Sequence, residues 1–86
     1  MMAKVVMYAT EWCPYCRRAE ALLRAKGAEL EKIDVDAQPE RRSEMQRRSR
    51  RRTVPQIWIG EMHIGGCDEL HDLDRQGRLD PLLAAA

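Results

Sequence analysis

Cys13 and Cys16 stand three residues apart with Pro14 and Tyr15 between them, and a third thiol, Cys67, follows two glycines far along the chain. A Cys-x-x-Cys pair that follows a strand and opens a helix has a specific chemical use. The first cysteine takes the cap position, where its sulfur meets backbone N–H groups that have no partner inside the helix. The helix dipole and those donors favour a thiolate there, and Pro14 costs no hydrogen bond at the first helical position. Arg17 and Arg18 add positive field. The thiolate is the nucleophile in thiol–disulfide exchange. Cys16, one turn further in, is expected to be more buried and more often protonated, which suits a resolving thiol. The competing chemistry is zinc, since the same pair supplies two ligands and His63, Cys67 and His71 could supply others. No second Cys-x-x-Cys exists, and a proline at the helix start fits an anion-stabilising turn better than a zinc knuckle.

Two distant segments bear on the same chemistry. Thr53-Val54-Pro55 precedes a strand. Pro55 cannot donate to a ladder and taken alone reads as an ordinary strand-opening proline. A cis bond at Val54-Pro55 would cost only about 0.5 to 1 kcal/mol and leave the Val54 backbone exposed to an extended peptide. Gly65-Gly66-Cys67-Asp68 leads into a helix, so its N–H groups form a natural cradle for a carboxylate, and Asp68 could meet an adjacent ammonium. Cys67 is also a candidate third redox thiol, although a small buried residue at a helix start is the commoner meaning.

The elements that must hold these residues are legible in outline. Lys4 to Tyr8 reads as a buried strand, and Pro14 to Gly27 as a helix with apolar recurrence at Tyr15, Ala19, Leu22 and Leu23 and an outward Glu20–Arg24 pair. Leu30 to Val35 reads as a second strand, with Leu30 out of phase with Ile33 and Val35. Glu40 to Ser49 is helical by composition, yet Met45 is its only strong apolar side chain, so it is expected to lie at the periphery and pack through arginine stems. Gln56–Ile59 and Met62–Ile64 form a hairpin across Gly60-Glu61, with Trp58 packed. Cys67 to Gln76 is a helix, Gly77 interrupts, and Asp80-Pro81 starts a last helical turn bearing Leu82 and Leu83. The order β-α-β-α-β-β-α predicts an α/β, thioredoxin-like fold: a four-stranded mixed sheet, three main helices and a short C-terminal helical turn.

Bulk properties bound the rest. With 86 residues, 15 basic and 14 acidic, the chain has material for one core, read as a single domain over residues 1–86, and a net charge of +1 argues against a nucleic-acid or membrane field. The apolar run Val5 to Ala9 is too short for a signal peptide, so a cytoplasmic, reducing compartment is the default expectation. The basic stretch Arg41 to Arg52 carries no interleaved aromatics and reads as a solvated helix face, with steering of an anionic substrate as a second use. Trp12 reads as docking surface, and His63 and His71 as surface or core-edge residues.

Taken together, Cys13-Pro14-Tyr15-Cys16, Thr53-Val54-Pro55-Gln56-Ile57 and Gly65-Gly66-Cys67-Asp68, in this order and spacing, resemble a classical bacterial dithiol glutaredoxin over nearly the whole chain. The resemblance implies a thioredoxin fold, a cis Pro55, glutathione as reducing co-substrate with no bound cofactor or metal, and reduction of glutathione mixed disulfides and protein disulfides by a monomer. It implies that Cys13 carries the glutathione mixed disulfide and Cys16 resolves it. Tyr15, Thr53, Val54 and Pro55 would line the tripeptide groove, and Gly66, Cys67 and Asp68 would hold its γ-glutamyl end. A thioredoxin-type reductant fed by a reductase is the nearest rival. One departure stands out: many members carry a lysine three residues before the first cysteine, near the glutathione glycine carboxylate, where this sequence has Thr10. An arginine from Arg50 to Arg52 is the expected replacement.

Overall fold

A computed structural model describes residues 3–85. Strand β1 (Lys4–Ala9) leads through a short turn into helix α1 (Pro14–Ala25), and strand β2 (Glu29–Asp34) returns beside β1. Helix α2 (Pro39–Ser49) is followed by the hairpin of β3 (Gln56–Ile59) and β4 (Met62–Gly65), then by helices α3 (Cys67–Arg75) and α4 (Leu79–Ala84). The strand order is β2-β1-β3-β4. β1 pairs parallel with β2 and antiparallel with β3, and β4 closes the sheet antiparallel to β3. This is the expected mixed thioredoxin-like sheet.

β1 is apolar on both faces because both are covered. Val5, Met7 and Ala9 pack with Ala19 and Leu23 of α1, Leu70 of α3, and Leu79 and Leu83 of α4. Tyr8 points the other way, into a second cluster with Ile33, Val35, Met45 and Trp58. Strand side chains alternate in direction. That explains Leu30: it packs against the first cluster, opposite Val5, while Ile33 and Val35 serve the second. Its phase is that of an edge strand that sends apolar side chains to both faces of the sheet.

Three expectations need correction. Helix α2 is not peripheral: Met45 is fully buried and supplies one wall of the second cluster. The arginine stems do contribute, with the Arg48 guanidinium 4.3 Å above the Trp58 ring and 2.7 Å from the Tyr8 hydroxyl, which also donates to Glu44. In α1 the buried stripe is Cys16, Ala19 and Leu23, and Tyr15 is exposed. The last helix begins at Leu79, which is buried with Leu83, whereas Leu82 is only partly covered. Lys26 binds both Asp74 and Asp80 at 2.8 and 2.9 Å, clasping α3 and α4 to the end of α1.

Candidate active site

Cys13 is the N-cap of α1, with extended backbone angles of φ −88° and ψ 115°, and its Sγ accepts a hydrogen bond from the Cys16 N–H at 3.4 Å. Pro14 occupies the first helical turn without sacrificing a donor. Protonated, the Cys13 thiol reaches the Val54 carbonyl at 3.8 Å. This contact joins the thiol turn to the loop before β3. The Val54-Pro55 bond in that loop is cis.

Cys16 differs sharply from its neighbour. It is 2 % exposed, packed in the main core, and burial pushes its thiol up to about 12 despite an opposing backbone hydrogen bond from Thr10. Cys13, by contrast, is partly open to solvent. Cys67 is buried at the start of α3, and desolvation raises its pKa too, against the attraction of Arg18. His71 lies one turn along, its Nδ1 2.9 Å from the Cys67 carbonyl oxygen and 3.4 Å from the sulfur.

Beside Cys13 lies a cleft of about 280 Å³. All seven residues expected to form the substrate groove, Tyr15, Thr53, Val54, Pro55, Gly66, Cys67 and Asp68, line it. Arg51, one of the three arginines expected near the groove, lines it as well, and Glu69 does so unanticipated. Their side chains form an ion pair at 2.7 Å, and the same Glu69 oxygen accepts the Gly66 N–H at 2.8 Å. These two contacts, the Gly66 amide first, hold the Glu69 carboxyl below the usual carboxylate range. The expected cradle is therefore narrower than the sequence suggests. Gly66 spends its amide on Glu69, leaving Cys67 and Asp68 to supply first-turn N–H groups to a ligand. Gly65 adopts φ +113°, and a Cβ on Gly66 would lie 3.3 Å from the Pro55 carbonyl oxygen.

Behind the cleft a polar brace was also missed. Gln56 is fully buried, donates to both the carbonyl oxygen and Oγ1 of Thr53, and meets His63 Nε2 at 2.8 Å through its own oxygen. His63 stacks on Trp58 with ring centroids 4.6 Å apart, and burial lowers its pKa. Such a buried amide must be satisfied, and the partners it finds fix the loop. A glutamine opening an otherwise apolar strand was the available signal.

The zinc alternative required His63, Cys67 and His71 to converge on the motif. His63 is committed to Gln56 and Trp58, His71 sits against its own helix, and among the described residues no three metal-ligating side chains cluster. Of the arginines proposed to stand in for the missing lysine, Arg51 lines the cleft, whereas Arg50 and Arg52 line a neighbouring one. A further cavity, about 580 Å³ between β4, α3 and α4, has no thiol in its lining.

Comparison with known proteins agrees with this geometry. The glutaredoxin family model matches residues 5–64. The chain is 56% identical over 84 residues to a glutaredoxin of Pseudomonas aeruginosa, covering 98% of this chain and all of that one. It is 54% identical over 82 residues to glutaredoxin 3 of Escherichia coli K12, covering 95% and 99% respectively. The crystal structure of a buckwheat glutaredoxin–glutathione complex superposes with a TM-score of 0.85 at 33% identity, covering 92% of this chain and 74% of that one. A thiol-capped helix, a cleft walled by the Val54-Pro55 loop and the α3 start, and these relatives agree: the chain belongs to the glutaredoxin family.

Proposed function

We propose that the protein reduces glutathione mixed disulfides and protein disulfides with glutathione, using Cys13 as nucleophile and Cys16 as resolving thiol. Glutaredoxins are glutathione-dependent thiol oxidoreductases, and the buckwheat relative was solved with glutathione bound. The observation that carries the reading is the asymmetry of the pair: an accessible, amide-capped Cys13 at the cleft, and a Cys16 that is 2 % exposed.

With a mixed disulfide, the Cys13 thiolate attacks the glutathione sulfur, the substrate S–S bond breaks, and the substrate leaves as a thiolate that takes a proton from water. A second glutathione thiolate then attacks the glutathione sulfur held on Cys13. Glutathione disulfide departs and Cys13 is restored. With a protein disulfide, Cys13 bonds to one substrate sulfur and the other is released. Cys16 then attacks Cys13, closing the Cys13–Cys16 disulfide and freeing the first sulfur, and two glutathiones return the pair to dithiol.

The cleft suits the tripeptide. Val54 offers its backbone and Tyr15 and Thr53 line the wall. At the α3 start the Cys67 and Asp68 amides face the γ-glutamyl carboxylate and the Asp68 side chain meets its ammonium, while Arg51 is held beside them by Glu69. A reductase-fed thioredoxin would not need this amide cradle and its charges. The deciding assay couples turnover of a small glutathione mixed disulfide to glutathione and glutathione reductase. Cys13→Ser abolishes it, whereas Cys16→Ser retains much of it and loses reduction of protein disulfides. Equal loss from both substitutions refutes the roles.

A further inference from the structure

The basic stretch Arg41 to Arg52 divides into two groups. Arg41, Arg42, Arg48 and Arg51 are committed, to Glu44, Asp36, the Tyr8–Trp58 pair and Glu69 respectively. Arg47, Arg50 and Arg52 form no ion pair or side-chain hydrogen bond among the described residues, and all three are exposed. Together with Ser43, Gln46 and Arg51 they line a cleft of about 380 Å³. The left-handed turn at Arg50, φ 60°, ends α2 there and carries the chain onward to Arg51 and Arg52.

Arg51 also lines the thiol cleft, so the two depressions adjoin at its side chain. Three further cations remain in a second, larger concavity, on a chain whose net charge is only +1. A matching ligand brings several anions and reaches past the tripeptide groove. Single-stranded nucleic acid would use stacking aromatics, and none lines this cleft. Its place next to the groove that would hold a disulfide at Cys13 instead favours a substrate carrying both the disulfide and the charges.

We propose that the Arg47–Arg50–Arg52 cleft docks an acidic stretch of a disulfide-bearing protein substrate while its disulfide lies at Cys13. This rests on the reading of Cys13 as the attacking thiol. Exposed charges of this kind act chiefly on encounter rate and choice of partner.

The test uses the intact protein with three peptides that share one internal disulfide and differ only in a four-residue flank, all acidic, all amide or all lysine. Reduction is followed with glutathione and glutathione reductase. The acidic peptide is expected to have a kcat/KM about five- to tenfold above the amide peptide at low ionic strength, with the ratio falling toward one at about 0.5 M salt. Arg47→Glu with Arg52→Glu reverses the order, making the lysine peptide the best substrate, a gain that misfolding cannot produce. Arg50 is left in place because its backbone is left-handed. A wild-type ratio near one, or a ratio unchanged in the double variant, overturns the proposal. So does a short oligonucleotide that binds wild type but not the variant while the peptides show no preference, which would assign the cleft to nucleic acid. Failure of wild type to reduce even the amide peptide and a small mixed disulfide overturns the Cys13 reading itself, and is distinguishable because it appears without any comparison of flanks.

Discussion

Replacing Cys13 and Cys67 by serine leaves Cys16 as the sole thiol, and its reactivity can be worked out in advance. With its pKa pushed up to about 12, only about one Cys16 in 10⁵ is ionised at pH 7, against about 3% of an ordinary exposed cysteine. That is a deficit of about 3,000-fold in thiolate. A more basic thiolate is also the better nucleophile, and with a Brønsted slope near 0.45 the extra 3.5 units return about 40-fold. The deficit wins by nearly two orders of magnitude. Removing the Cys13 sulfur takes away one upward influence, but burial is the largest cause and persists, and at 2 % exposure the reagent must also wait for the core to open. Iodoacetamide labelling of the double variant, followed by mass spectrometry, is therefore expected to be at least about 50-fold slower than labelling of a cysteine peptide at pH 7. The rate should climb about tenfold per pH unit up to at least pH 10. A plateau below pH 9, or a rate within a few-fold of the free peptide, would refute the claim that burial holds Cys16 as a thiol until it is needed.

Other perturbations probe other parts of the site. Gly66→Ala pushes a Cβ to 3.3 Å from the Pro55 carbonyl and is expected to raise the KM for glutathione several-fold with little loss of stability, as read by steady-state kinetics and urea denaturation. Glu69→Gln removes a carboxylate whose pKa is lowered by the Gly66 amide and then by Arg51. Its stabilising contribution is present above the unfolded carboxylate pKa near 4.3 and vanishes as pH falls through the lower folded value, so wild type and variant should differ at pH 6 and converge as the pH is lowered past the ordinary carboxylate range in urea titrations. The Arg51 partner is half exposed, so the difference is small, under about 1 kcal/mol for that ion pair. Met45→Ala leaves a cavity in the second cluster and should cost about 2 to 5 kcal/mol in denaturant, while leaving Cys13 competent in the folded fraction.

Which parts of this site the sequence discloses follows from how local their causes are. Cys13, Pro14 and Cys16 declare themselves because a helix cap is a four-residue affair, Pro55 because its ring fixes its backbone, and Gly66 because a glycine pair just before a helix start punctuates the chain. The run Arg50 to Arg52 offers a charge near the groove, but Arg51 and Glu69 meet across 18 positions, and only the return of the β3–β4 hairpin brings them together, so the pair itself has no local signal. Gln56 is similar: its burial depends on sheet order, and its partners lie on a loop and a neighbouring strand. Helix α2 was misread because its sequence has a single strong apolar residue. One methionine suffices when Tyr8 and Trp58 bring most of the volume and arginine stems cover the rest.

The Gln56 brace has a consequence for how tightly the groove can hold anything. A wall that must be ordered by its ligand subtracts about 1 to 2 kcal/mol per residue frozen from the affinity. Here Thr53 is already tied at two oxygens from a fully buried side chain that is itself held by His63 against Trp58. The conformational entropy of that wall is surrendered when the chain folds. What a tripeptide gains on arrival is thus kept almost undiminished, and the same rigidity denies the loop the freedom to reshape itself around a poorly fitting one.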